Sequence, residues 1–397
     1  MPVTRVLASG VAVGALVLST MSAAGAAPDR EPVPDPAAGP QSKQQVLHSG
    51  HASTVKVMTR NVFLGADLGR GLAAPDLDRL MRGAGQILNK VDENDFDKRG
   101  DALAHEIRSQ KPDLIGLQEV ANWRTAPCGS PFLPPQATQV RYDFLRMLMS
   151  KLNSDGRTYR IVETQPQFDF EIPANTTRDP AQQHCDTNVR LTMRDVILAR
   201  TDGREIRTRK ARGGTYENLL TVRPGDLVDF PAKRGWLSVD AKVGKGPWFR
   251  FVNTHLESFD DESQRPSIRK QQAQELVEDA GPIGSSNHPV VLVGDLNSDI
   301  RTEVKPGDAQ AYRALRNAGL YSKAGRRPLS CCLHLPALGP DADRADNAQR
   351  DHVVDHIMTD APWRVWRLRS SVTGLEPHNG WWGSDHAGVV STLLMLG

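Results

Sequence analysis

Asp295 and Asn297 stand two positions apart at the end of the stretch Pro289-Val290-Val291-Leu292-Val293-Gly294-Asp295-Leu296-Asn297-Ser298-Asp299. The apolar run after the proline predicts a buried strand, and Gly294 ends it where the two polar residues begin. At that spacing both side chains leave the strand end in one direction. A carboxylate beside a carboxamide at the mouth of a sheet can hold an activated water and a phosphate oxygen together, as metal-assisted hydrolysis requires. The competing reading is a capped turn in which both side chains bond only to backbone. Other strand ends tip the balance: Asn61, Glu119, His255, Asp355 and Asp385-His386 each follow or adjoin an apolar run. Packing those strands together would gather carboxylates, carboxamides and imidazoles in one cleft, and such groups seldom converge without a chemical task.

The elements that must position these residues are short. Val55–Thr59 alternates as a strand, Leu77–Val91 and Phe96–Gln110 carry apolar residues at helical spacing, and Asp113–Glu119 is a second buried strand after the break at Lys111-Pro112. A long, Pro-rich connection over 121–188 follows, interrupted by a predicted helix from Tyr142 to Leu152. Asp195–Arg200 is a strand, and Trp236–Val243 and Trp248–Thr254 form a hairpin leading into His255. Helices are predicted over Ser263–Ala280 and Ala309–Asn317, and strands over Val353–Met358 and Ala387–Met395. Buried strands mixed with amphipathic helices imply an α/β or α+β sandwich with its polar residues at one end of the sheets.

Arg5, an apolar run from Val6 to Leu18 and the small residues Ala23 to Ala27 have the layout of a secretory signal peptide cleaved near Ala26 or Ala27. Residues 28–52 lack periodicity and read as a flexible lead, leaving 53–397 as the domain. A net charge of +2 with 24% charged residues excludes a strongly basic nucleic-acid-binding chain but not a local basic patch. Four cysteines behind an export signal point to disulfides, with Cys128–Cys185 the preferred pair. Cys331 and Cys332 are left open, to each other or to a partner elsewhere.

Arg60-Asn61-Val62, Leu117-Gln118-Glu119-Val120, Asn253-Thr254-His255-Leu256, Gly294-Asp295-Leu296-Asn297-Ser298, Val354-Asp355-His356-Ile357 and Ser384-Asp385-His386 occur in that order. In this series the chain resembles the endonuclease/exonuclease/phosphatase superfamily, whose members include deoxyribonucleases, inositol polyphosphate phosphatases and bacterial sphingomyelinases. The resemblance implies an α/β fold, a four-layered α-β-β-α sandwich with two packed mixed β-sheets, and a divalent-metal phosphoesterase. It implies Glu119 as main metal ligand with Asn61 and Asp385 beside it, for Mg²⁺ with Mn²⁺ as a substitute. It implies His386 oriented by Asp355, Asp295 and Asn297 positioning water and phosphate, and His255 donating to a non-bridging oxygen, with either Asp295 or His386 as the base. His356 faces away from the cleft, Asp67 and Asp299 are turn residues, and Phe63 stands where some members carry an acidic residue.

For substrate, a phosphodiester of nucleic acid leads, a phospholipid head group is the alternative, and a non-catalytic binding protein on the same scaffold is third. Trp381 and Trp382 would overhang the cleft or pack inside, and Arg124, Arg141, Arg178 and Arg190 would grip a polyanion or remain solvated. A monomer without a stable protein partner is expected.

Overall fold

The computed structural model describes residues 52–397 apart from 73, 130–135, 178–183, 225–228, 260–265, 301–308, 327–328 and 334–349. The expected signal peptide, the flexible lead up to residue 51, Arg178 and the expected start of a helix at Ser263 lie outside the described residues. The strands are β1 (Ser53–Asn61), β2 (Leu114–Gln118), β3 (Asn122–Pro127), β4 (Gln139–Asp143), β5 (Tyr159–Ala174), β6 (Thr187–Arg200), β7 (Ile206–Thr215) and β8 (Leu220–Val222). They continue as β9 (Phe230–Ala232), β10 (Gly235–Val243), β11 (Phe249–His255), β12 (Val290–Asp295), β13 (Tyr321–Ser322), β14 (Asp355–Thr359), β15 (Val365–Thr373) and β16 (Gly388–Met395). The helices are α1 (Gly69–Leu72), α2 (Leu77–Glu93), α3 (Phe96–Gln110), α4 (Phe144–Leu152), α5 (Ile268–Val277) and α6 (Gln310–Asn317).

Among the described residues the strands make two large sheets and a two-stranded ribbon. The first sheet runs β15-β16-β1-β2-β6-β3-β4 with β5 also on β6, and the second runs β13-β14-β12-β11-β10-β7. Each mixes parallel and antiparallel pairs. Their inner faces meet in one apolar layer, with Val57, Leu114 and Ile197 from the first sheet against Leu237, Phe251, Val291 and Val293 from the second. On the outer face of the first sheet, Leu88, Val91, Leu103 and Ile107 of α2 and α3 close a second core. On the outer face of the second, α5 and α6 do the same over Val252, Val290 and Leu292. The order of layers is therefore α-β-β-α.

Local sequence explains the elements. Asp76 starts α2 by accepting from the Arg79 N–H at 2.8 Å, and apolar residues at three- and four-residue steps turn one face of the helix inward. Lys111 closes α3 in the left-handed region just before Pro112, which cannot continue a helix. The expected strands at 113–119, 236–254 and 387–395 form within a residue or two.

The region 121–188 differs from the expected irregular connection. It is built of β3, β4, α4 and the long β5–β6 ribbon, in which buried Val189, Leu191 and Met193 alternate with the more exposed Arg190, Thr192 and Arg194. Pro166 and Pro173 hide this period in the sequence, yet both sit on β5, which pairs only with β6 and so needs no donor on its far side. Tyr142 and Asp143, expected to begin a helix, end β4, and Asp143 instead caps α4. Cys128 and Cys185 are joined as expected, with Cα atoms 5.9 Å apart, and tie this excursion across its base. Cys331 and Cys332 are bonded to each other.

Leu292 is fully buried beneath α5 and α6, at the centre of the strand that ends in Asp295. Leu292→Ala is expected to cost about 2–5 kcal/mol in urea unfolding, with the slope of the transition unchanged.

Candidate active site

Strand register lays out half of the site. β11, β12 and β14 pair so that His255 lies opposite Asp295 and Asp295 opposite Asp355, making one row across the second sheet. The other half comes from the first sheet. Asn61 ends β1 opposite Gln118, and Glu119 follows in the left-handed region at φ 59°, a conformation that costs a non-glycine residue energy and occurs where a side chain must be re-aimed.

The two halves meet at one carboxylate oxygen. Asp295 Oδ2 accepts from Asn61 Nδ2 at 3.0 Å and lies 3.7 Å from both His255 Nε2 and His386 Nε2. The same Asn61 nitrogen donates to Glu119 Oε1 at 3.1 Å, while Asn61 Oδ1 accepts from the Phe63 N–H at 2.9 Å. Glu119 is fixed further by the Leu64 N–H, 2.9 Å from Oε2. Behind His386, Asp355 Oδ2 takes Nδ1 at 2.8 Å, so Nε2 is the nitrogen turned into the cleft. Asn297, at φ 47°, donates through Nδ2 to Leu256 O at 3.0 Å, and its N–H reaches back to Asp295 Oδ1 at 2.9 Å.

Burial and neighbours set the charges. Burial pushes Asp295 up to about 7, against the opposing pull of His386, and Asp355 adds to the rise. Burial alone would lower His386, but Asp355 and Asp295 outweigh it and push the imidazole up to about 10. His255 goes the other way: burial, then the Arg234 guanidinium, then His386 hold it well below the ordinary range. The Arg234 Nη1 is 3.1 Å from His255 Nδ1 and 3.4 Å from Nε2. A guanidinium only donates, so the nearer ring nitrogen accepts and Nε2 carries the proton toward Asp295 and Glu119.

Asp385 occupies the loop beside His386, with Oδ1 accepting from the His386 N–H at 2.9 Å and the Ser384 hydroxyl at 3.2 Å. Its charge and that of Glu119 both act on the buried Arg99 guanidinium. Glu119 faces Asn61 Nδ2 beside Asp295, and Asp385 lies on the His386 loop; carboxylate oxygens of this kind suit a hard divalent cation. For Asn61 to join as a ligand through Oδ1, its carboxamide would have to turn over.

Of the residues set aside on sequence, His356 and Asp67 behave as expected, whereas Asp299 is no local turn residue but is buried and bridges to a distant segment. His356 is buried with Nε2 3.0 Å from Ser298 O, Asp67 accepts from Gly69 N–H at 2.8 Å in an exposed turn, and Asp299 accepts from Val353 N–H at 3.0 Å. Trp382 is buried against Leu333 and Phe63 rather than overhanging the cleft, whereas Trp381 is half-buried. Arg124 and Arg190 are paired with Asp169, and Arg141 with Asp92, so three of the four arginines expected to be available for a polyanion are already engaged.

Sequence reading missed the cations beneath the site. Arg234 is buried against Glu257 and the Ser258 hydroxyl as well as His255. Gly235 beside it is the available signal, because a Cβ there would lie 2.0 Å from Gly214 O. Arg60, quoted only as part of a motif, is buried, pairs with Glu106 at 3.0 Å and donates to His386 O at 2.6 Å. Arg99 Nη2 donates to the carbonyls of Val62, Phe63 and Gly383. Asp195 is buried on β6, pushed up to about 8 chiefly by burial.

The model of the Endonuclease/Exonuclease/phosphatase family matches residues 81–386. A solved family protein from Leptotrichia buccalis is similar at 14% identity and TM-score 0.51, over 85% of this chain and 99% of the other. Family proteins from Bacteroides thetaiotaomicron (15% identity, TM-score 0.49, 87% of this chain and 99% of the other) and Beutenbergia cavernae (18%, 0.49, 87% and 72%) are also similar. No curated protein matches the sequence.

Glu106→Ala removes the partner of a buried guanidinium that holds the His386 backbone. It is expected to cost about 3–5 kcal/mol by urea unfolding, and Arg60→Met combined with Glu106→Leu is expected to recover most of that loss.

Proposed function

Because the chain belongs to the endonuclease/exonuclease/phosphatase family, we propose that it is an exported, Mg²⁺-dependent phosphodiesterase acting on nucleic acid. The family is one of hydrolytic phosphoesterases that generally use a divalent metal. The observation that carries the reading is the position of Asp295 Oδ2, which faces Asn61 Nδ2, His255 Nε2 and His386 Nε2 together.

In this reading Glu119, with Asp385 and Asn61 beside it, holds Mg²⁺, or Mn²⁺ in its place. Bound there, the ion supplies Lewis-acid neutralisation of a phosphate oxygen and of the departing alkoxide. Asp295 takes the proton of the attacking water, since Oδ2 is the acceptor shared by the surrounding donors. His386, held at Nδ1 by Asp355, keeps a positive charge beside the developing anion. His255, neutral and protonated on Nε2, donates to a non-bridging oxygen, and Arg234 fixes that tautomer. Asn297 is anchored to the backbone after His255 and positions the phosphate from the other side.

Export is supported by the layout of residues 1–27 and by the Cys128–Cys185 bond, which suits an oxidising compartment. Nucleic acid as substrate is supported by the half-buried Trp381 on the loop that leads into Asp385 and His386, a ring on which a base can stack. A second reading, a phospholipid head-group phosphodiesterase, draws on the same Trp381, whose ring also suits a choline-like cation or a bilayer surface. A monomer without a stable protein partner completes the proposal.

The test is turnover with Mg²⁺ and with EDTA, run in parallel on plasmid DNA, RNA and sphingomyelin liposomes. Metal-dependent cleavage of DNA or RNA is expected, and cleavage of liposomes alone would move the assignment to the second reading. Glu119→Ala and His386→Ala are each expected to lower kcat by about 100-fold or more while near-ultraviolet circular dichroism is unchanged. Rates close to wild type in either variant would overturn the assigned roles.

A further inference from the structure

Cys331 and Cys332 lie on the segment that laces the two loops of the site together. The Ser330 N–H donates to His352 O at 2.9 Å, and the Ala387 N–H donates to Ser330 O at 2.7 Å. The Leu333 N–H donates to Asp385 O at 3.0 Å, and the Asp355 N–H to the Ser330 hydroxyl at 3.3 Å. The cysteine pair is thereby held between the strand that carries Asp355 and the loop that carries Asp385 and His386. Cys332 Sγ stands 3.9 Å from His386 Nε2, and the two sulfurs and a ring nitrogen of His386 lie within 4.8 Å of one another.

Two sulfurs and an imidazole nitrogen are the donors of a soft divalent cation, whose bonds of about 2.3 Å to sulfur and 2.0–2.1 Å to nitrogen would span the 3.9 Å from Cys332 Sγ to His386 Nε2 once the sulfurs have parted. His386 already has the orientation of a metal-binding histidine. Asp355 binds Nδ1 at 2.8 Å, the outer contact that turns Nε2 toward an ion. The disulfide blocks this use of the sulfurs, and a reductant restores it: two electrons and two protons convert the S–S bond into two thiols, and binding of the ion releases both thiol protons and the Nε2 proton of the His386 imidazolium to solvent.

We propose that the reduced Cys331–Cys332 pair and His386 Nε2 form a binding site for a soft divalent cation such as Zn²⁺, and that its occupation switches the phosphoester cleft off. This site is distinct in chemistry from the oxygen donors around Glu119, which suit a hard ion. Binding stands on the three ligand atoms alone, whereas the switching rests on the role proposed above for His386. Oxidation returns the sulfurs to each other and releases the ion, so the cleft would be on in an oxidising compartment and off where reductant and zinc coexist.

The experiment uses the full exported chain, oxidised or reduced by a phosphine, which becomes its oxide with oxygen from water and is removed without air. Co²⁺ replaces Zn²⁺ as the probe, because thiolate-bound cobalt absorbs in the near ultraviolet. The expected result is one Co²⁺ per reduced wild-type chain, displaced by Zn²⁺. The band should be absent from the oxidised chain and from reduced Cys331→Ser/Cys332→Ser, which keeps Cys128 and Cys185. His386→Gln is expected to weaken the site about tenfold or more. Absence of the band from the reduced wild type, or its survival in the double serine variant, would overturn the proposal. One equivalent of Zn²⁺ should lower turnover of the reduced chain about tenfold and leave the oxidised chain unaffected. A cobalt band with undiminished turnover would support the cation site and overturn the placing of His386 in the reaction.

Discussion

The lateral pairing of β11, β12 and β14 is the constraint on which the site depends. It sets His255, Asp295 and Asp355 side by side, and a slip of one residue in any of the three strands would send that strand's polar end to the opposite face. Fully buried Val291, Val293 and Ile357 on these strands lock the register from within the inter-sheet layer. The distance between the sheets is set in the same layer. A Cβ on Gly116 would meet Asn253 Oδ1 at 2.5 Å and Val293 Cγ2 at 2.6 Å, so a larger residue at this crossing would push apart the sheets that bring Asn61 and Glu119 to Asp295.

Beneath the cleft and along the second sheet behind it the protein keeps charges that water would otherwise solvate. Arg60 with Glu106, Arg234 with Glu257 and Arg250 with Asp240 are buried pairs, and such pairs contribute little net stability once desolvation is counted. Their value lies in geometry. Arg60 holds the carbonyl of His386, Arg99 holds those of Val62, Phe63 and Gly383, and Arg234 holds His255, so each loop that carries a polar group of the cleft is fixed by a guanidinium. Dipoles and charges held in this way do not have to reorganise as negative charge develops on a phosphate.

The strand ends were legible because an apolar run followed by Asp, Asn, Glu or His is a local pattern, and topology needed only to gather them. Asp295, Asp355 and His386 illustrate this, since each was visible beside its own strand and the three ligand groups converge in space. The buried arginines were not legible, because an arginine reads as a surface residue until its partners are known, and those of Arg60 lie 46 and 326 positions away. The ribbon of β5 and β6 was obscured by prolines that an edge strand tolerates. The burial of Trp382 was equally hidden, depending on Leu333 and Phe63 from two distant segments. By contrast, the Cys128–Cys185 pair was the pairing preferred from the sequence, as a bridge across the 121–188 region, and it is the one formed.

The antiparallel pairing of β1 with β16 places Ser53 opposite Met395, whereas Asn61 and His386 belong to the other end of the same two strands. Polypeptide attached beyond Ser53 or Met395 therefore leaves from the end of the sheet remote from the cleft. A short linker between those positions would be spanned without strain, which makes the domain a candidate for circular permutation. It also lets a support attached at Ser53 or Met395 leave the cleft facing the surrounding solution.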